Sequence, residues 1–160
     1  MSIKEPFVHT LWCDDIRVEL GNKPSFMGVF TGGLLLPSLP VVLPKLCMQT
    51  WVCSPLAHPI NSVTVEIVRD DGMVVASVSA ENRGSPADVM EDSTRRNLIV
   101  TMMVGPLEIP ADCKWLMARA TFADGAIDGP KLRITVDRAA FGQLMGIPDQ
   151  GAPVEDIEAD

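Results

Sequence analysis

Residues 63–80, VTVEIVRDDGMVVASVSA, decide the fold, because their pattern predicts both a β-hairpin and its register. Two runs of alternating side chains flank Asp71-Gly72, a dipeptide typical of tight hairpin turns. With that dipeptide as the loop, the expected facing pairs are Val68/Val75, Ile67/Ala76, Glu66/Ser77, Val65/Val78, Thr64/Ser79 and Val63/Ala80. A shift by one residue would mix the two faces, so we expect a loop with an even number of residues.

The predicted hairpin has one apolar and one polar face. The apolar face carries Val63, Val65, Ile67, Ala76, Val78 and Ala80, and the polar face carries Thr64, Glu66, Ser77 and Ser79. A two-stranded ribbon of this kind is not stable alone in water. The rest of the chain must therefore supply a second apolar layer.

The composition indicates a single globular domain. Of the 160 residues, 47% are hydrophobic and 21% charged, and this length is enough to bury a sizeable core. The 13 prolines and 12 glycines are spread along the chain, as is typical of an all-β fold with many turns. We expect one β-sandwich domain over residues 1–146 and an acidic tail over residues 147–160.

The net charge of −8 limits the classes of partner. Nucleic acids and anionic membranes bind to clusters of Lys and Arg, and this sequence has no basic stripe, so neither is an expected partner. A basic protein surface is a better partner. Neither a secretory signal nor an apolar run of about 18 residues is present, which predicts a cytoplasmic location, or the virion if the chain is phage-encoded.

Further apolar or alternating runs predict the other strands. They cover residues 7–13, 25–36, 45–53, 97–104, 114–122 and 132–136. Asp14-Asp15 is expected to interrupt the first of these strands, after which residues 16–20 alternate between apolar and charged side chains. Gly28, Gly32 and Gly33 are expected to mark a bulge or a close backbone approach within residues 25–36.

Seven or eight strands at 8–15-residue spacing predict an all-β chain. The specific expectation is a two-layer antiparallel β-sandwich of immunoglobulin or C2-like shape with one short C-terminal helix at most. That helix is expected over residues 138–145, with Asp137 as its N-cap. The polar residues 81–96 predict a surface loop, which is a candidate interaction segment.

The four cysteines are predicted to be reduced core residues of an intracellular protein. Cys13, Cys47, Cys53 and Cys113 all lie in apolar, strand-like segments and show no C-x-x-C spacing. A bridge between Cys47 and Cys53 is excluded if they share one strand, because six residues of strand span about 20 Å.

Catalytic signatures are missing from the sequence, which has no phosphate-binding loop, nucleophile elbow or zinc-protease motif. Cys13 with His9 and Asp14 is the one trio that suits a nucleophile, but residues 9 and 13 of one strand lie about 13 Å apart. His58 is interpreted as a loop residue before Pro59. We therefore expect no enzyme and assign no catalytic, cofactor-binding or metal-binding residue.

Paired carboxylates mark three predicted turns. Asp14-Asp15 is interpreted as a charged turn that pairs with Arg17 or Lys23. The other pairs are Asp70-Asp71 and Asp124/Asp128. If these loops meet at one end of a sandwich, their oxygens could bind Ca²⁺.

Residues 11–46 resemble the opening of a family of bacterial and phage proteins whose function is uncharacterised. The resemblance rests on C-D-D-I-R-x-E-x-G-x-K from Cys13, on S-F-M-G-V-F from Ser25, and on L-P-K-L-C from Leu43. It implies a small β-sandwich. It supplies no activity, so no functional residue is carried over from it.

The function that these observations favour is non-enzymatic. The chain is expected to be a structural or interaction protein, a subunit of a larger assembly such as a phage virion accessory or cement protein. Its partners would be proteins, either copies of itself or neighbouring subunits. The contacts are expected from Met27/Val29 or Met102/Met103, from loop 81–96 and from the termini. The alternative is a cytoplasmic β-sandwich that binds a small ligand or Ca²⁺.

Overall fold

The computed structural model describes residues 5–82 and 92–147, and over this part of the chain the fold is all-β. The elements there, in chain order, are β1 (Phe7–Glu19), β2 (Lys23–Val29), β3 (Gly33–Leu36), β4 (Val41–Leu43), β5 (Leu46–Pro55), β6 (Ser62–Arg69), β7 (Val74–Glu81), β8 (Arg95–Val104), β9 (Leu107–Ile109), β10 (Trp115–Phe122), β11 (Gly125–Val136) and α1 (Arg138–Leu144).

The strands form two large sheets and one small one. Sheet A has the order β2-β1-β5-β8, sheet B has the order β3-β11-β10-β6-β7, and β4 pairs with β9. One pairing departs from the expected antiparallel arrangement, because β3 runs parallel to β11. Residues 25–36, predicted as one strand, form β2 in sheet A and β3 in sheet B. The close approach predicted at Gly33 is present, since a Cβ there would lie 2.8 Å from the carbonyl oxygen of Arg133.

Both large sheets contribute to one hydrophobic core, which gives the chain a sandwich-like character. From sheet A, Trp12, Met48 and Met102 form a row of facing residues in this core. From sheet B, the core contains buried side chains of β6, β10 and β11, among them Val63, Val65, Ile67, Leu116, Ala118, Ala120 and Leu132. The second apolar layer that the hairpin requires is thus supplied by sheet A.

The hairpin pairs as predicted over most of its length. The ladder joins Ile67 to Ala76, and outward from there the facing residues are Glu66/Ser77, Val65/Val78, Thr64/Ser79 and Val63/Ala80. Because β7 is the edge strand of sheet B, however, its half of the apolar face is less covered. Val65 is fully buried, whereas Val78 opposite it is 38% exposed.

The predicted even-numbered loop is wrong. Arg69 donates its N–H to the carbonyl of Met73 (2.9 Å), which leaves a three-residue loop closed by a bond from the Gly72 N–H to the Arg69 carbonyl (3.0 Å). Val68 consequently faces Val74 and not Val75. The register shift next to that pair inserts one extra residue in β7, which restores the predicted pairing beyond it. A turn with an odd length and a bulge together have the effect of an even loop.

Three other predicted boundaries can be compared with the structure. β1 continues through Asp14-Asp15, so the predicted interruption of the strand is wrong. Arg95 and Arg96, predicted to end the 81–96 loop, belong to β8, and residues 83–91 of that loop lie outside the described residues. The tail lies outside them from residue 148 onward, so the domain boundary stays a prediction. The helix is confirmed, with Asp137 accepting a hydrogen bond from the Ala140 N–H (2.9 Å).

Candidate interaction face

The outer face of sheet A, on the side away from the shared core, carries apolar side chains on all four strands, together with the polar residues His9, Gln49, Asn97 and Thr101. One row of facing residues runs Val29, Cys13, Cys47 and Met103 from β2 to β8. A second row runs His9, Trp51 and Ile99. We call the most exposed apolar side chains of this face the outer patch, which consists of Phe7, Val29, Ile99 and Met103.

The middle of this face is covered by the chain itself. Gln49, Cys47 and Cys13 point outward in the register, yet they are almost inaccessible to solvent. The ring of Phe26 lies 6.3 Å from that of Trp51. In the ladders Phe26 faces Ile16 of β1, and Trp51 faces His9 of β1. In a straight strand, residues 9 and 16 would be about 23 Å apart. The β1–β2 hairpin must therefore bend and fold onto the outer face.

The bend lies at Asp14-Asp15. Cys13 and Ile16 share a small apolar cluster with Cys47, although strict alternation would place residues 13 and 16 on opposite faces. Opposite the bend, Gly28 has a φ of 64°, and a Cβ there would overlap the Asp14 carboxylate. Gly28 is therefore closely approached by a side chain and not by backbone, and the close approach predicted at Gly32 is wrong, because a Cβ there would meet no atom within 4 Å. We call residues 14–28 the arm.

Charged side chains anchor the arm at its base. Asp15 accepts hydrogen bonds from the ammonium of Lys45 (2.6 Å), just before β5, and from Arg17 (3.2 Å). The hydrogen bond from Lys45 makes the largest contribution, and with the bond from Arg17 it holds the pKa of the Asp15 carboxyl below its usual range. The predicted pairing of Asp14-Asp15 with Arg17 is confirmed for Asp15, and Lys45 is a partner that sequence reasoning missed.

Acid should weaken this anchor. Because the pKa of Asp15 is lowered in the folded chain, its contribution to stability is present above about pH 4 and is lost as the pH falls below the unfolded value. We expect Asp15→Asn to have a lower urea midpoint than wild type at pH 7, and the difference between the two midpoints to shrink as the pH falls below about 4. The control Glu19→Gln changes an exposed carboxylate at the end of β1. If the difference in urea midpoint between wild type and Asp15→Asn did not change with pH, the Asp15 carboxylate would not anchor the arm through its charge.

The outer face of sheet B is polar and charged by comparison. Arg119 and Asp128 form an ion pair (2.6 Å), and the Lys131 ammonium lies 4.2 Å above the ring of Trp115. On β6 and β7 this face carries Thr64, which is bonded to Ser79 (2.9 Å). Such a face is stable in water, so the apolar outer face of sheet A is the unusual one.

The trio of Cys13, His9 and Asp14, which the strand spacing argued against as a nucleophilic site, is not assembled in the structure. Cys13 donates its thiol hydrogen to the Asp15 carbonyl (3.4 Å), while the His9 ring packs 5.5 Å from that of Trp51. Burial, followed by the nearby Cys47, raises the pKa of the Cys13 thiol to about 11, so the reactive thiolate is scarce at neutral pH. The other predicted histidine, His58, donates its backbone N–H to Pro55 in the loop after β5.

The predicted carboxylate turns are occupied by internal contacts. Asp71 pairs with Arg69, and Asp70 accepts a bond from the Lys114 N–H (3.0 Å). The prediction of Asp128 as a turn residue is wrong, because it lies within β11 and pairs with Arg119 on β10. Among the described residues, no group of three or more His, Cys, Asp or Glu side chains is placed to hold a metal ion.

The predicted contact residues separate into two groups. Val29 and Met103 lie in the outer patch, and Met27 is also exposed, but Met102 is buried in the shared core. Sequence reasoning missed Ile99 and Phe7 as contact residues. The sequence did contain a signal for an apolar outer face. Residues 7–13 are largely apolar at both odd and even positions, so this strand presents apolar side chains on both faces of its sheet.

Comparison of the chain with models of protein families, with curated proteins and with solved structures finds no match. Within residues 5–82 and 92–147, no helix is long and apolar enough to cross a membrane.

Proposed function

We propose that this protein is a non-enzymatic structural or interaction module and that the outer patch is its docking surface. Its partners are proteins, either copies of itself or neighbouring subunits of a larger assembly. A phage virion accessory or cement protein is the concrete form of the proposal, with the virion or the cytoplasm as its location. The fold assignment that accompanies it is an immunoglobulin or C2-like sandwich, supported by two packed sheets of four and five strands.

The observation that carries the proposal is the contrast between the two outer faces. Val29, Ile99 and Met103 are 42%, 55% and 63% exposed on sheet A, and half-buried Leu11, Trp51 and Phe26 lie on the same side. The equivalent face of sheet B carries the Arg119–Asp128 ion pair and the bonded hydroxyls of Thr64 and Ser79. Several exposed apolar side chains on one face of a folded chain indicate a site that another molecule covers.

Self-association is the form of the proposal that can be tested with the chain alone. We expect the wild type to form a dimer or larger species at micromolar concentrations. The double variant Ile99→Asp/Met103→Asp places two carboxylates in the outer patch. It should weaken association about a hundredfold, because each charge would lose its water without gaining a partner. Size-exclusion chromatography with light scattering measures both.

The matched control is Val42→Asp/Met73→Asp. Val42 is 59% exposed in β4, and Met73 is 54% exposed just after the three-residue hairpin loop, so both lie outside the outer patch. Its association should equal that of the wild type. A wild type that remains a 17.3 kDa monomer up to about 100 μM, or a control that dissociates as fully as the test variant, would contradict the proposal.

A further inference from the structure

Cys13 and Cys47 face each other across β1 and β5. They are Cα partners in the antiparallel ladder, and their side chains lie in the same small cluster. Facing residues of such a ladder have Cα atoms about 4.5–5.5 Å apart, and a disulfide spans about 4.4–6.8 Å between Cα atoms. The two strands therefore already hold the spacing that a disulfide needs. Both thiols are free in the structure.

The same two thiols hold the bend of the arm. Cys13 donates its thiol hydrogen to the carbonyl of Asp15 (3.4 Å), and Cys47 donates its own to the carbonyl of Asp14 (3.5 Å). These carbonyls belong to consecutive residues at the point where β1 changes face. Each bond is weak, because a thiol is a poor donor, but both depend on the hydrogen that oxidation removes.

We propose that Cys13 and Cys47 form a redox-sensitive pair, which closes to a disulfide with a low-molecular-weight disulfide as oxidant and thereby loosens the arm. One protein thiolate attacks the oxidant and releases one thiol. The second protein thiolate then attacks the mixed disulfide and releases the other. The two protein thiols lose two protons and two electrons, and the oxidant is reduced to two thiols. The carbonyls of Asp14 and Asp15 lose both donors.

Access to the pair depends on the arm. Neither thiol is exposed, and burial is the first cause of the raised pKa of each. A thiolate and an oxidant can therefore meet only when the arm lifts from the outer face. Cys53 and Cys113 are buried as well, but Cys53 faces Phe7 and Asn97 in the ladders and has no cysteine partner there. Among the four cysteines, Cys13 and Cys47 are the one pair that the ladder register places opposite each other.

The test uses the full chain with millimolar glutathione disulfide, against a sample in dithiothreitol. We expect thiol counting with a maleimide in denaturant to fall from four free thiols to two, and peptide mapping to join residues 13 and 47. Amide hydrogen exchange over the arm should become about fivefold faster, as the loss of two weak hydrogen bonds predicts. Neither readout requires the chain to self-associate, so failure here is distinct from failure of the proposed function.

Three single variants complete the design. Cys13→Ser and Cys47→Ser should form no internal disulfide and should show unchanged exchange in the arm, because a serine hydroxyl still donates. Cys53→Ser should behave as the wild type. Four thiols remaining after a day at 37 °C, a disulfide that joins other cysteines, or a bond between residues 13 and 47 that leaves exchange in the arm unchanged would each overturn the inference. The wild-type results decide this even if a variant does not fold.

Discussion

Replacing Gly105 with alanine should lower the free energy of unfolding by about 3 kcal/mol, the upper end of the range for overpacked sites. A Cβ at this position would overlap the carbonyl oxygen of Pro44 and lie 3.0 Å from the Cα of Lys45. Both obstacles are backbone atoms, so no side-chain rotation relieves them. They cannot move apart easily either, because β4 pairs with β9 and β5 pairs with β8 on the two sides of this contact.

Gly32→Ala is the matched control for that substitution. A Cβ at residue 32 would meet no atom within 4 Å, so the free energy of unfolding should change by no more than about 0.5 kcal/mol. Urea unfolding followed by tryptophan fluorescence measures both variants. Equal losses at the two sites would mean that the cost comes from removing glycine and not from the contact with residues 44 and 45.

The sequence predicted local pairing well, because alternation and turn chemistry act over a few residues. Five of the six hairpin pairs are confirmed, and the bulge next to Val68 explains the sixth. The length of the loop could not be predicted, since a three-residue turn with a bulge places the same side chains on the same faces as an even loop. The alternation in the sequence is compatible with both.

The candidate site could not be predicted, because it depends on the order of the strands. Val29 and Met103 are 74 positions apart in the chain and meet in one row only because β1 and β5 lie between their strands. No local pattern contains that order. The sequence predicted an interruption at Asp14-Asp15, where the structure has a bend. Whether a strand ends at such a point or bends and continues depends on which side chains it can bury beyond the bend. Here it buries Phe26.

Because the two sheets share one core, shortening Leu116 should have a second large effect on stability. This side chain is fully buried in β10, between β11 and β6, and it belongs to the cluster that includes Trp12 and Met48 of sheet A. Leu116→Ala removes atoms that contact the core and leaves a cavity that the flanking strands prevent from closing. We expect a loss of about 3 kcal/mol in the free energy of unfolding.

Val78→Ala shortens a side chain of the same apolar hairpin face at the edge of sheet B, where Val78 is 38% exposed. The free energy of unfolding of this variant should fall by less than about 1 kcal/mol, because little buried surface is removed and no closed cavity forms. Chemical unfolding of both variants, fitted with one denaturant slope, gives the comparison. If Leu116→Ala cost no more than Val78→Ala, the two sheets would not share one packed core. The two faces of sheet A could then no longer be divided into one that packs in the core and one that faces outward. The proposed docking role of the outer face would have no basis.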